Sequence, residues 1–226
     1  MPAPYSRSPQ KLRDCEGNAD GIDKELFLVE GDSASASVTR VRNRQQQAVL
    51  PMQGKPLNTA KASVSRIRAN PWFCALASAL GVAPARPAAP EQLRYRRIML
   101  LFDPDADGIH CGALMLMYFQ RFMPAAFASG HIWMVRPPLL RITAPALSAP
   151  LYARSQAHYE HMMARLQAEG VRELQTLRYR GLGSLEESLL IDTCVAPATR
   201  QADQMSLSDA QMAARYFGGA PPLSAP

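Results

Sequence analysis

The sequence predicts an α/β protein: a parallel sheet flanked by helices, followed in the chain by a small α+β lobe. Two uninterrupted apolar runs, Leu26–Val29 and Ile98–Phe102, have the length and composition of strands buried on both faces of a parallel sheet. Each ends on an acidic segment, Glu30-Gly31-Asp32 or Asp103-Pro104-Asp105, and each is followed by a stretch of helical periodicity. Strands that alternate with helices in this way imply a parallel sheet.

Taken in order, Glu25–Val29 is the first strand and Ser33–Arg44 the first helix, with Asp32 or Ser33 as N-cap and a basic end at Arg40, Arg42 and Arg44. Val49-Leu50 is a short strand before a loop at Gly54. Pro71–Leu80 reads as a helix: Asn70 caps it, Pro71 suits the first turn and Gly81 supplies a left-handed stop. An Ala/Pro-rich connection, Val82–Pro90, leads to the strand Ile98–Phe102 and the helix Gly108–Phe122. His131–Val135 is the next strand, halted by Pro137-Pro138, and Leu139–Thr143 a fourth. Beyond Pro150 come a helix at Ser155–Glu169, a strand at Leu174–Tyr179 and a turn at Gly181-Leu182-Gly183. A helix opened by a capping box, Ser184 with Glu187, follows, and Ser208–Phe217 is the last helix. The expected organisation is an N-terminal extension at 1–23, a main domain at 24–143, a C-terminal lobe at 144–217 and a disordered tail at 218–226.

Composition narrows the class less than the pattern does. At 226 residues and 47% apolar, the chain can bury a real core without staples. Its net charge of +6 favours a polyanionic partner only weakly. Cys15, Cys74, Cys111 and Cys194 form no CxxC pair, so neither a zinc site nor a disulfide framework is expected. The N-terminus has no apolar signal region, and no run approaches the roughly 18 apolar residues of a membrane span. A soluble, cytoplasmic protein without a membrane partner is the expectation.

Asp103, Asp105 and Asp107 stand at alternate positions, so an extended segment would aim all three carboxylates to one side. Uncompensated, they repel; a hard divalent cation takes oxygen ligands and removes the repulsion. The D-x-D-x-D-G spacing also opens a calcium EF-hand, but the twelfth position is Leu114 rather than Glu and an apolar strand precedes the loop. A solvated turn in which Asp107 merely caps the next helix is the remaining alternative. Glu30 favours the metal: it ends one apolar strand as Asp103 ends another, and neighbouring strands lie about 4.8 Å apart.

These residues sit in a series of landmarks: Glu30-Gly-Asp-Ser-Ala34 with Arg42-Asn-Arg44, Leu50-Pro-Met-Gln-Gly-Lys55-Pro-Leu-Asn58, Asp103-x-Asp105-x-Asp107-Gly-x-His110, Pro137-Pro-Leu139 and Arg178-Tyr-Arg-Gly-Leu-Gly183. In order and spacing the series resembles the Rossmann-like Toprim module and C-terminal part of type IIA DNA topoisomerase B subunits, of the bacterial gyrase and topoisomerase IV kind, from about Lys11 to Asp192. The resemblance implies a DNA cleavage and religation module in which Glu30 and Asp103 hold one Mg²⁺, Asp103 and Asp105 hold a second, and Asp107 supports both; Mn²⁺ or Ca²⁺ would substitute. It makes Glu30, Asp103 and Asp105 catalytic, and assigns Lys55, Asn58, Arg42, Arg44 and His110 to DNA. The implied partners are double-stranded DNA, an A-type subunit that supplies the nucleophilic tyrosine, and a separate ATPase.

The sequence also departs from the family. Ser35 and Ala36 replace two usual glycines, which predicts strain if either position needs positive φ. Gln53 replaces a basic residue, and Gly112 stands where an arginine or similar side chain is usual. Barely two dozen residues precede the first landmark and no glycine-rich phosphate loop leads into a helix, so no ATP-binding residue is expected. Two other functions stay open: a catalytically impaired relative that docks on DNA or the A subunit, and a single-chain nuclease that uses metal-activated water.

Overall fold

The structure, a computed structural model, describes residues 11–17 and 23–218. Its strands are β1 (Glu25–Glu30), β2 (Gln47–Met52), β3 (Arg97–Leu101), β4 (Ile132–Val135), β5 (Leu140–Thr143), β6 (Leu151–Ala153), β7 (Gln175–Arg178) and β8 (Ala202–Gln204). Its α-helices are α1 (Gly31–Val41), α2 (Val64–Arg68), α3 (Pro71–Leu80), α4 (Ala106–Phe122), α5 (Ala125–Ala128), α6 (Gln156–Ala168), α7 (Glu187–Leu190) and α8 (Leu207–Phe217). Short 3₁₀ turns occupy Pro90–Gln92 and Leu182–Ser184, and a π turn occupies Ile191–Val195.

The expected parallel sheet is present in the order β2-β1-β3-β4, and β8 adds an antiparallel edge. Continuous burial of β1, β2 and β3 follows from helices on both faces. One face buries α3, α4 and α8 around Phe73, Tyr118, Phe119 and Phe122. The other buries α1 and the turn-rich segment 179–195 through Val38, Leu182, Leu189 and Leu190. The strand at Leu140–Thr143 is not a fourth member of this sheet. It forms a second, antiparallel sheet in the order β6-β5-β7, because Pro137-Pro138 breaks the chain's direction after β4. Segment 144–217 supplies the rest of that sheet, and it also returns β8 to the first sheet and α8 to the face of α4.

Several local expectations change. Helix α1 begins at Gly31 and stops at Val41; Glu30 occupies the N-cap position, not Asp32 or Ser33, and its side chain makes no cap hydrogen bond. Ser184 forms no capping box: its hydroxyl donates to the Gly181 carbonyl and accepts from Arg180 N–H, closing a turn instead. Ser35 and Ala36 lie inside α1, and the non-glycine residues of positive φ are Ala85 and Glu173 among those described, so the strain expected at 35 and 36 is absent. Helix α3 keeps its three signals: the Asn70 side chain accepts from Trp72 and Phe73 N–H, Pro71 opens it and Gly81 closes it at φ 78°. The disordered tail expected at 218–226 lies, beyond Gly218, outside the described residues, as does most of the extension at 1–23.

Candidate metal centre

Parallel pairing sets β1 beside β3, with Val29 opposite Leu101, so the two chains leave the same end of the sheet side by side. Glu30 closes the first of them and Asp103 lies two residues past the end of the second. The acidic segment is not extended through Asp107, as the alternate spacing predicts. Helix α4 starts at Ala106, which makes Asp105 the N-cap, its carboxylate accepting from Gly108 N–H at 2.9 Å, and puts Asp107 in the first turn. Asp105 therefore caps the helix, the role expected of Asp107 in the alternative reading. Gly108 permits this tight start, since a Cβ there would fall 2.0 Å from the Asp103 carbonyl oxygen.

The charges at this end repel. Burial raises the pKa of Glu30, and Asp103, Asp105 and Asp107 raise it further; Lys55 offsets only part. Burial also raises Asp103, with Asp105 adding to the effect and a 2.8 Å hydrogen bond from Leu182 N–H opposing it. Asp107 differs: its bond to Lys55 Nζ, 2.8 Å long, lowers its pKa and raises that of Lys55. Among the described residues no three Asp, Glu, His or Cys side chains form a ready-made metal cage. Magnesium demands none: it commonly takes one or two carboxylates and completes its octahedron with water and substrate phosphate oxygens. An all-oxygen set in which Glu30 and Asp103 have raised pKa values fits such a cation.

The expected DNA residues fall into three groups. Lys55 and Arg44 are exposed; Lys55 flanks the acids, and Arg44 lines a groove with Lys11, Arg13 and Arg40 on the α1 side. Arg42 is turned inward, its guanidinium donating to the carbonyls of Asp14 and Gln47, which suits it to holding the α1–β2 connection rather than a phosphate. Asn58 and His110 meet under the end of α8: Asn58 Nδ2 donates to the Phe217 carbonyl at 2.9 Å, and the Phe217 ring stacks on His110 with centroids 5.2 Å apart. Beside them runs a largely apolar cleft of about 600 Å³, lined by Asp103, Asp105, Ile109, Met212 and Tyr216. At Gly112 a Cβ would lie 3.0 Å from Met134 Cε, so a larger residue requires Met134 to move.

The sequence marks Arg178–Gly183 as a landmark but assigns its arginines and its glycine turn no place in the site. A second cleft, about 520 Å³, is lined by Asp103, Asp105, Arg178, Arg180 and Gly181, so two arginines edge the acids from the C-terminal segment. The signal was in the sequence: two arginines run directly into a paired-glycine turn that no local strand or helix requires.

Sheet order, crossover and acids at the carboxyl ends of adjacent parallel strands define a Rossmann-like carboxylate site, and residues 25–137 match the Toprim domain family. The chain belongs to that family. It is also homologous to the B subunits of type II topoisomerases. The B subunit of DNA topoisomerase 4 from Caulobacter vibrioides is 40% identical over 202 residues, covering 89% of this chain and 28% of that protein. The DNA gyrase B subunit of Archaeoglobus fulgidus is 36% identical over 209 residues (92% and 32%), and that of Thermus thermophilus 35% over 213 (92% and 33%). The chain thus spans about three-tenths of the length of these curated relatives. Among the described residues no helix is long and apolar enough to cross a membrane.

Proposed function

We propose that the chain is the magnesium-dependent DNA cleavage and religation module of a type II DNA topoisomerase. The observation that supports this most is the pair Glu30 and Asp103, ending neighbouring strands where burial and the nearby aspartates hold both pKa values up. In this reading Glu30 and Asp103 hold one Mg²⁺, Asp103 and Asp105 a second, and Asp107 supports them. Mn²⁺ or Ca²⁺ substitutes. When bound, the cations supply charge neutralisation on the phosphate and on the departing 3′ oxygen.

The chain's own side chains position the DNA. Lys55 and Arg44 meet backbone phosphates, Lys55 exchanging its contact with Asp107 for one with DNA. Arg178 and Arg180 hold the strand on the opposite lip of the acidic cleft. Two tyrosines are withdrawn from the nucleophile's role: Tyr95 is buried and donates to Asp14 at 2.7 Å, and Tyr118 is buried in the core, so neither reaches a phosphate. An A-type subunit supplies the tyrosine, and an ATPase outside these residues drives strand passage. The working compartment is the cytoplasm. The division into a Toprim domain at 24–143 and a C-terminal lobe at 144–217 stands as part of this proposal.

The test mixes the chain with a cognate A subunit, supercoiled DNA and Mg²⁺, then traps with denaturant. Covalent 5′-linked breaks that disappear in Asp103→Ala are the expected result. Breaks without the A subunit would point to a nuclease. A second reading, DNA docking without cleavage, draws support from Lys55 tied to Asp107 and from Phe217 lying over Asn58 and His110. Binding without breaks under these conditions would favour it over catalysis.

A further inference from the structure

The Gly181-Leu182-Gly183 turn comes from the far end of the chain, yet it touches both Asp103 and the first turn of α1. The Leu182 N–H donates to Asp103 Oδ1 at 2.8 Å. Gly181 lies flat against the same carboxylate: a Cβ there would fall 2.6 Å from Oδ2 and 3.0 Å from Cγ, and its φ of 125° suits glycine alone. Gly183 packs against α1 three residues past Glu30, where a Cβ would fall 2.8 Å from Ser33 Oγ. The turn is itself held. Tyr179 N–H bonds to the Leu139 carbonyl, Ser184 closes back onto Gly181, and the Leu182 side chain is 1% exposed among Val29, Ala34 and Leu101.

A carboxylate at a strand end has two side-chain torsions free, and a metal site needs them fixed. No other hydrogen bond to the Asp103 carboxylate is made among the described residues. We propose that this turn is the positioning element of the metal centre: Leu182 N–H fixes the Asp103 carboxylate, and the bare Cα atoms of Gly181 and Gly183 let the turn approach Asp103 and the start of α1 together. The C-terminal segment thereby completes a site whose acids all come from the first half of the chain. The inference rests on the reading of Glu30 and Asp103 as metal ligands.

The test is Mn²⁺ binding to the whole chain, followed by electron paramagnetic resonance of the free ion, with cleavage assayed alongside. Gly181→Ala should weaken Mn²⁺ by about 10–100-fold, the loss typical when a metal ligand's outer partner is removed. Gly170→Ala is the control for backbone strain, because Gly170 also has positive φ, 73°, but nothing within 4 Å of its Cβ position; its affinity should match wild type. Asp103→Asn should weaken binding at least as much as Gly181→Ala. If Gly181→Ala retains wild-type affinity while Asp103→Asn loses it, the positioning role is wrong and the metal site stands. If Asp103→Asn binds Mn²⁺ as wild type does, the metal reading fails first. Should Gly181→Ala not fold, replacing Leu182 by its α-hydroxy acid removes the N–H alone and must weaken Mn²⁺ equally; unchanged affinity there overturns the proposal.

Discussion

Strand β1 begins and ends on a glutamate, and the two have opposite fates. Glu25, 2% exposed, is enclosed by Arg200 at 2.5 Å, with Gln47 and Arg97 also bonded to it. Burial alone would raise its pKa, but these partners outweigh burial and lower it. Glu30, five residues on, is partly buried among Asp103, Asp105 and Asp107, and its pKa goes up. The first pole of the sheet satisfies its charge and the second leaves charge unsatisfied. Carboxylates that the fold leaves uncompensated mark a candidate for completion from outside it, and this contrast is what favours the metal centre proposed above.

The sharpest way to break the contrast is to unpair the satisfied pole. Arg200→Met should destabilise the chain by about 3–5 kcal/mol in urea unfolding, because a buried carboxylate loses its closest cation. The pH dependence carries a sign. Glu25 has a depressed folded pKa, so its stabilisation is present above the ordinary value of 4.5 and is lost as pH falls through the lower folded value. Wild type should therefore lose its advantage over Arg200→Met on acidification. Equal stability of the two at pH 7 would mean that the pair holds nothing.

The reverse experiment relaxes the unsatisfied pole. Glu30→Gln removes one of the repelling charges and should stabilise the metal-free chain slightly, by less than about 1 kcal/mol, while abolishing DNA cleavage. A stability gain with loss of function is the signature of a site held at a cost to the fold. Destabilisation would instead mark Glu30 as a structural cap, although its side chain makes no such bond.

The same contrast explains what the sequence made legible. Leu26–Val29, Ile98–Phe102 and the acids after them were readable because strand burial and a carboxylate's place at a strand end are local facts. The Glu25–Arg200 pair spans 175 positions and was not, since nothing local marks an arginine that returns to the first strand. Arg42 shows a related gap: a basic run suggests phosphate, but which carbonyls the fold brings near its guanidinium is not written in the run. The tie from Leu182 to Asp103 belongs with these, because a backbone N–H leaves no trace in residue type.

The smallest stability effect should come from Lys55, which stands between the poles in character. Its ion pair with Asp107 is short, but the side chains are 45% and 73% exposed, so water and salt screen most of the attraction. Lys55→Met should leave the melting temperature unchanged within error. Its effect should appear on DNA: weaker binding to every sequence, and a slope of log affinity against log salt that is shallower by about one phosphate contact. A lost melting temperature with an unchanged salt slope would make Lys55 a structural partner of Asp107, and would move that carboxylate to the satisfied class with Glu25. An unchanged melting temperature with the shallower slope keeps Lys55 as a group that leaves Asp107 when DNA arrives, so that the one ion pair made by the four acids among the described residues lasts only until DNA binds.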